Sequence, residues 1–337
     1  MTHVQEQELQ RAAGILQPVD RIQILVLIDN KTDSLSSVPT YATPEWKNLM
    51  KTGMKQLSGT CQCCANHGLA LIVTAHRGDE KRTVLFDAGP AAFAVEYNGS
   101  RLAAKFGEID AIVLSHGHWD HAGGLPMALD LIARQNNQRR VPCYLHPGMF
   151  RERALPLSDG GLLPIREIPT AEELRDHGAD PVITDKPATI LQNMFFVSGE
   201  IARTTSYERG FPGHMRRTED GLDWEPDPLI MDERFLAVQI GGKGMVVLSA
   251  CSHAGVINVL HSAREAFPTT PLHAIAGGLH LSGANESVIG QTVADLEQFD
   301  LDIIIPGHCT GWRAVNILER MFGAKVVPMA VGMSFDL

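Results

Sequence analysis

Ala111-Ile112-Val113-Leu114, then Ser115, then His116-Gly117-His118-Trp119-Asp120-His121: the apolar run and the six residues beyond it decide how this chain is read. The run has the length and composition of a buried strand. Three imidazoles and a carboxylate then crowd into the turn that follows it. Side chains two apart on an extended segment point the same way, so His116 and His118 can grip one ion while Asp120 and His121, at the turn, address a second. Neutral imidazole nitrogen suits zinc. Three protein ligands with one open position activate water, whereas a closed set of four only holds a fold. Clustered imidazoles that bind nothing are a poor alternative directly behind a buried strand, where their desolvation would go uncompensated. The stretch therefore predicts metal chemistry, with hydrolysis first among the reactions.

His-x-His-x-Asp-His after an apolar strand resembles the metallo-β-lactamase superfamily, and Thr83-Val84-Leu85-Phe86-Asp87-Ala88-Gly89 is similar to that superfamily's strand-Asp-x-Gly segment. Two further apolar runs end in a histidine: Met245 to His253, and Leu301 to His308 within Pro306-Gly307-His308-Cys309-Thr310-Gly311. Residues at strand ends are presented rigidly. In the superfamily pattern the His after each such strand completes one metal's set. The resemblance thus implies His116, His118 and His253 at one ion and Asp120, His121 and His308 at the other, with two zinc ions expected and iron or manganese as the other candidates. Cys251, a good zinc donor two residues from His253, is the reserve ligand.

Between these runs His273 to Leu281 forms another, and it ends in His280 rather than in the bridging Asp that many binuclear members carry there. His280 is a candidate proton donor, substrate contact or replacement ligand, with a structural imidazole as the plain alternative. Asp302 precedes its apolar run and is not expected to reach the metals. Asp120 is expected to orient a metal-bound hydroxide, and with His280 it forms the candidate catalytic pair.

Within the superfamily the chain is similar to the subgroup of 7,8-dihydropterin-6-methyl-4-(β-D-ribofuranosyl)aminobenzene-5′-phosphate synthases. The similarity runs through Leu27-Ile28-Asp29-Asn30, His67-Gly68-Leu69-Ala70-Leu71, Ser198-Gly199-Glu200-Ile201, Cys251-Ser252-His253-Ala254-Gly255 and Gly277-Gly278-Leu279-His280-Leu281. Two positions depart from it: Asn66 stands where the subgroup has Glu, and Leu279 where it has Phe. The resemblance implies an α/β fold, the four-layer αβ/βα sandwich of two mixed sheets flanked by helices, in a single domain over 1–337. It implies a metallohydrolase acting on an ester, lactone, β-lactam or phosphoester of a small, anionic molecule. A pterin-phosphate synthase and a non-catalytic metal-dependent ligand sensor are the alternatives. Fold alone does not choose between them.

Composition agrees with such an enzyme. At 337 residues and 44% hydrophobic, the chain can bury a sizeable core without staples. A net charge of −10 argues against a nucleic-acid binder, since phosphate neutralisation needs clustered Lys and Arg. Arg139-Arg140 and Arg216-Arg217 are short pairs that read as surface or as steering for an anion. No apolar run nears the roughly 20 residues that span a bilayer, and Met1 to Glu8 lacks the features of a secretion signal, so a cytoplasmic enzyme is expected. A homo-oligomer is left open. Among six cysteines, Cys61-Gln62-Cys63-Cys64 reads as a reduced loop and Cys143 as core.

Strands are expected at Ile22–Ile28, Leu69–Ala75, Thr83–Phe86, Ala111–Leu114, Phe195–Val197, Phe235–Ile240, Gly244–Ser249, His273–Ala276 and Ile303–Ile305. Helices are expected at Leu125–Gln135, Val256–Ala266, Ser287–Phe299 and Ala314–Met321. The stretch of about 147–232 is richer in Gly, Pro and charge and reads as a lid or insert. His146, Arg203, Tyr207 and His214 within it are candidates to touch substrate, and Trp119 and Trp312 to wall the pocket.

Overall fold

The computed structural model describes residues 3–337; Met1 and Thr2, part of the stretch read above for a secretion signal, lie outside it. Its apolar runs become strands of two mixed sheets. The first has eight strands, in the order Ala42–Thr43, Ser334–Asp336, Arg21–Ile28, Ala70–Arg77, Glu80–Phe86, Ala111–Val113, Val141–Leu145, Ala179–Ile183. It is antiparallel up to Glu80–Phe86 and parallel from there on. The second has six, in the order Ala188–Ile190, Phe195–Val197, Leu236–Ile240, Gly244–Ser249, Leu272–Gly278, Ile303–Gly307, and its last three run parallel.

Ala111–Val113 and the three parallel strands of the second sheet are buried on both faces, which is why they read as continuous apolar runs without alternation. Their facing sides make a core between the sheets, where Val26, Val84 and Val113 share one cluster with Leu236, Val246 and Ile305. The outer faces carry helices. Ala92–Arg101 and Leu125–Gln135 bring Val95, Leu125 and Leu129 onto Leu85 and Ile112. Val256–Ala266, Ile289–Leu296 and Trp312–Phe322 bring Leu260, Val293 and Leu318 onto the second sheet. The four layers are helix, sheet, sheet, helix, as expected.

The stretch 147–232 divides. Ala179–Ile183 joins the first large sheet, and Ala188–Ile190 and Phe195–Val197 join the second. What remains forms a four-stranded antiparallel sheet of its own, in the order Trp224–Pro226, Met215–Arg217, Arg153–Pro156, Leu162–Ile165. A buried ion pair fastens it to the body: Arg153 Nη2 lies 2.6 Å from Asp232 Oδ1, and the other Asp232 oxygen accepts from the Gly117 amide at 2.8 Å.

The site lies where parallel strands end. Asp87, His116, Cys251, His280 and His308 all follow the carboxyl ends of such strands within a few residues. This is the usual place for ligands on an open α/β sheet.

Candidate metal centre

Four imidazoles are turned by partners on their outer side. Ser115 Oγ spends its hydrogen on Asp87 Oδ2 at 2.7 Å, so it can only accept from His116 Nδ1, 2.9 Å away. His121 Nδ1 donates to the same Asp87 oxygen at 2.7 Å. His308 Nδ1 meets the side-chain oxygen Oδ1 of Asn30 at 2.9 Å. The fourth, His118, places Nε2 3.1 Å from His214 Nε2. With the hydrogens assigned to these outer atoms, each ring in its neutral form directs a lone pair inward.

Inward, the lone pairs converge. His116 Nε2 and His118 Nδ1 lie 3.0 Å apart, and His121 Nε2 and His308 Nε2 3.2 Å. Donor atoms of His116, His118 and His253 come together in one group, and those of Asp120, His121 and His308 in another. His253 is buried, and neither of its ring nitrogens has a hydrogen-bond partner among the described residues. Lone pairs facing one another and a buried imidazole without partners are costly unless a cation sits among them. Two imidazole nitrogens on a tetrahedral zinc, each at roughly 2.0–2.1 Å, stand about 3.3 Å apart, close to the spacings here. The residues fit a metal.

Charge differs between the two groups. Burial, reinforced by neighbouring histidines, holds His116, His118 and His253 well below the usual imidazole range, so they remain neutral. Burial also opposes charge on His121, but the Asp120 and Asp87 carboxylates overcome it and hold its conjugate acid up to about 9. Against its own burial, Asp120 is kept below the ordinary carboxylate range by His121 and His308. Its Oδ2 lies 3.4 Å from His308 Nε2, 3.5 Å from His67 Nε2 and 3.6 Å from His121 Nε2.

Cys251 stands between the groups. Its sulfur clusters with His116 and His121, with His253 and His280, and with His308 and Cys309. The Cys309 sulfur is 3.2 Å away. Burial and the neighbouring thiol push Cys251 up, while Cys309, against its burial, is drawn down by Cys251, His308 and His280. His280 packs on His253 with ring centroids 4.2 Å apart, and its Nδ1 is 3.9 Å from Cys251 Sγ.

The backbone is bent to this purpose. Asp87, Ser252, His280 and His308 all adopt positive φ, between 46° and 58°. Non-glycine residues pay about 1 kcal/mol or more for that conformation, and such strain concentrates at functional sites. Gly68 is obligatory for a different reason. At φ 147° a Cβ there would stand 2.2 Å from the Asp120 carbonyl oxygen.

A cleft of about 520 Å³ opens onto the centre, within the range of small-molecule sites. Asn30, His67, Asp120, His280 and His308 line its polar side, and Trp119, Leu155, Ile165 and Phe211 its apolar side. Of the residues proposed to touch substrate, His214 instead backs His118, and His146 faces Glu200 at 3.7 Å. Tyr207 donates to Asp295 at 2.6 Å, and Arg203 to the carbonyl oxygens of Ile201 and Leu229. Trp312 is exposed beside Arg313 and does not line the cleft, whereas Trp119 does. The arginine pairs point elsewhere: Arg140 to Asp180, Arg216 to Glu225, Arg217 to Glu152. Asp302 pairs with His273 at 2.7 Å. Sequence reasoning gave no orienting role to Ser115, Asn30 or Asp87; Asp87 had a signal in its place at a strand end before a glycine, and Asn30 in the segment Leu27-Ile28-Asp29-Asn30.

Together the four-layer fold and this strand-end cluster of histidines define a class: the chain has the fold of the metallo-β-lactamase superfamily and is similar to its enzymes. The model of the β-lactamase superfamily domain matches residues 82–184. Among curated proteins, the 7,8-dihydropterin-6-methyl-4-(β-D-ribofuranosyl)-aminobenzene-5′-phosphate synthase of Methanocaldococcus jannaschii is 26% identical over 276 residues, covering 78% of this chain and 90% of its own. An uncharacterized protein of the same organism is 27% identical over 260 residues, covering 76% and 89%. Among solved structures, Tm1679, described as a metal-dependent hydrolase of the β-lactamase superfamily, superposes with a TM-score of 0.68 at 21% identity, covering 94% of this chain and 99% of that one. Unliganded yeast PDE1 does so with a TM-score of 0.51 at 11% identity, covering 95% and 100%. At such identities these two likenesses show the fold.

Proposed function

We propose that the protein is a binuclear metallohydrolase acting on a small molecule. In this reading His116, His118 and His253 hold one ion and Asp120, His121 and His308 the other, zinc at both, with iron or manganese as substitutes. The inward convergence of lone pairs, with their outer nitrogens already committed, is the observation that carries it. Ions bound there would lower the pKa of water from about 15.7 to about 7 and polarise a carbonyl or phosphoryl oxygen.

The chain's own groups do the rest. Asp120, at the edge of the cleft, orients the attacking water. His280, on the same polar side, is placed to give a proton to the leaving group; Cys309 and Glu233 favour its protonated form against the effect of burial. Trp119, Leu155, Ile165 and Phe211 exclude water from the apolar side. The small sheet serves as a lid, since it supplies Leu155 and Ile165 to that wall. An ester, lactone, β-lactam or phosphoester fits the apparatus, and an anionic group on the substrate would be met by the ions.

A second reading, a pterin-phosphate synthase, is favoured by the similarity to the M. jannaschii enzyme over most of both chains. Elemental mass spectrometry on protein purified without added metal tests the common ground, with about two ions per chain expected. Protein that stays empty after zinc is supplied would overturn both. A hydrolysis screen across esters, lactones, β-lactams and phosphoesters, run beside a pterin condensation assay, then separates them.

A further inference from the structure

Outer partners at the centre differ in kind. His116, His121 and His308 hand their outer hydrogen to oxygen atoms of Ser115, Asp87 and Asn30, all at strand ends of the first large sheet. His118 is met by an imidazole, and that imidazole, His214, immediately precedes the strand Met215–Arg217 of the small sheet. We propose that His214 is a positioning residue for His118, so that the small sheet, and not only the two-sheet body, sets the ligand geometry of the first ion. This rests on the metal-centre reading above.

The tautomers follow from the partners. His214 Nδ1 lies 3.0 Å from the carbonyl oxygen of Asp227, which can only accept, so that nitrogen carries a hydrogen. The neutral ring then offers a lone pair at Nε2, 3.1 Å from His118 Nε2. The hydrogen between the two rings belongs to His118. This leaves His118 Nδ1 as the donor atom facing His116 Nε2 at 3.0 Å. Metal-bound histidines regularly give their other N–H to an acceptor that fixes ring and tautomer.

The support is rigid. His214 is fully buried, so solvent cannot take its place. Its segment is clamped by main-chain bonds: His214 N to Phe211 O at 3.1 Å, Asp227 N to His214 O at 2.8 Å and Phe211 N to Pro228 O at 2.7 Å. Three residues before His214, Phe211 lies parallel to His253 with centroids 5.7 Å apart. One short segment therefore backs two of the three residues of the first group.

The test is a zinc and cobalt titration of chelator-stripped protein, wild type against His214→Leu and His214→Gln. His214→Leu is expected to weaken one of the two ions by about 10- to 100-fold and to alter the visible absorption of bound cobalt, leaving the other ion unchanged. His214→Gln, which keeps an acceptor oxygen, is expected to recover most of that loss. Trp224→Ala, in the same sheet but away from His118, is expected to leave both affinities as they are. A folded His214→Leu protein with wild-type affinities and an unaltered cobalt spectrum would overturn the proposal while the metal centre stood. Wild-type protein that takes up no ion would overturn the metal reading itself, and this proposal with it. Nitrogen NMR of the stripped wild type needs no variant: His118 protonated at Nε2 supports the proposal, and protonation at Nδ1 overturns it.

Discussion

His116, His118 and His253 carry no charge between them, while Asp120, His121 and His308 share a carboxylate and have a second, Asp87, behind His121. The first group is organised by the orientation of neutral rings, and the ring of one member, His253, is held by packing alone. In the second, charge is the organising quantity: His121 lies between two carboxylates and draws a proton to itself. An ion at the first group relieves unpaired nitrogens, whereas an ion at the second replaces a proton. The same substitution should therefore act differently on the two sides.

The largest effect is expected from His118→Ala, whose ring takes part in the first group and touches the small sheet. Metal and turnover should both be lost, and a variant that kept turning over would sink the proposed site. Next comes His121→Leu. It leaves Asp87 buried and short of one partner, and chemical denaturation of stripped protein should show a loss of about 3–5 kcal/mol. His280→Ala is expected to retain both ions while the rate falls roughly 10²-fold, the range of a lost proton donor; loss of an ion instead would make His280 a ligand.

His253→Leu sharpens the contrast, because its sign is opposite to that of His121→Leu. Removing two buried, unpartnered nitrogens should stabilise stripped protein by about 1–3 kcal/mol while abolishing the first ion. If it destabilises as much as His121→Leu does, the distinction between the groups is wrong. The smallest effect belongs to the periphery. Arg217→Ala breaks a solvent-facing pair with Glu152 and a stack on Trp224, and should cost no more than about 1 kcal/mol.

Much of the body was legible because its signals are local. Leu125–Gln135 and Val256–Ala266 have the ends that their periodicity predicts, and Gly244–Ser249 is a strand over the expected residues. Ala92–Arg101 was not foreseen. It contains Asn98 and Gly99, has no side-chain cap, and is helical because Val95 and Ala94 pack on the first sheet. The small sheet was also hidden, since its two hairpins are separated by a length of chain that visits both large sheets.

By itself the sequence determined the main strands and helices of the two-sheet body and the six metal-ligand candidates, because apolar runs and a dense His/Asp motif are properties of neighbouring residues. Tertiary structure alone decided which nitrogen of each imidazole faces inward, since Asp87, Asn30 and His214 reach their histidines from 34, 278 and 96 positions away. It also put His214 behind His118 rather than in the cleft. Hydrogen bonds between distant parts of the chain set orientation, and no local pattern records them.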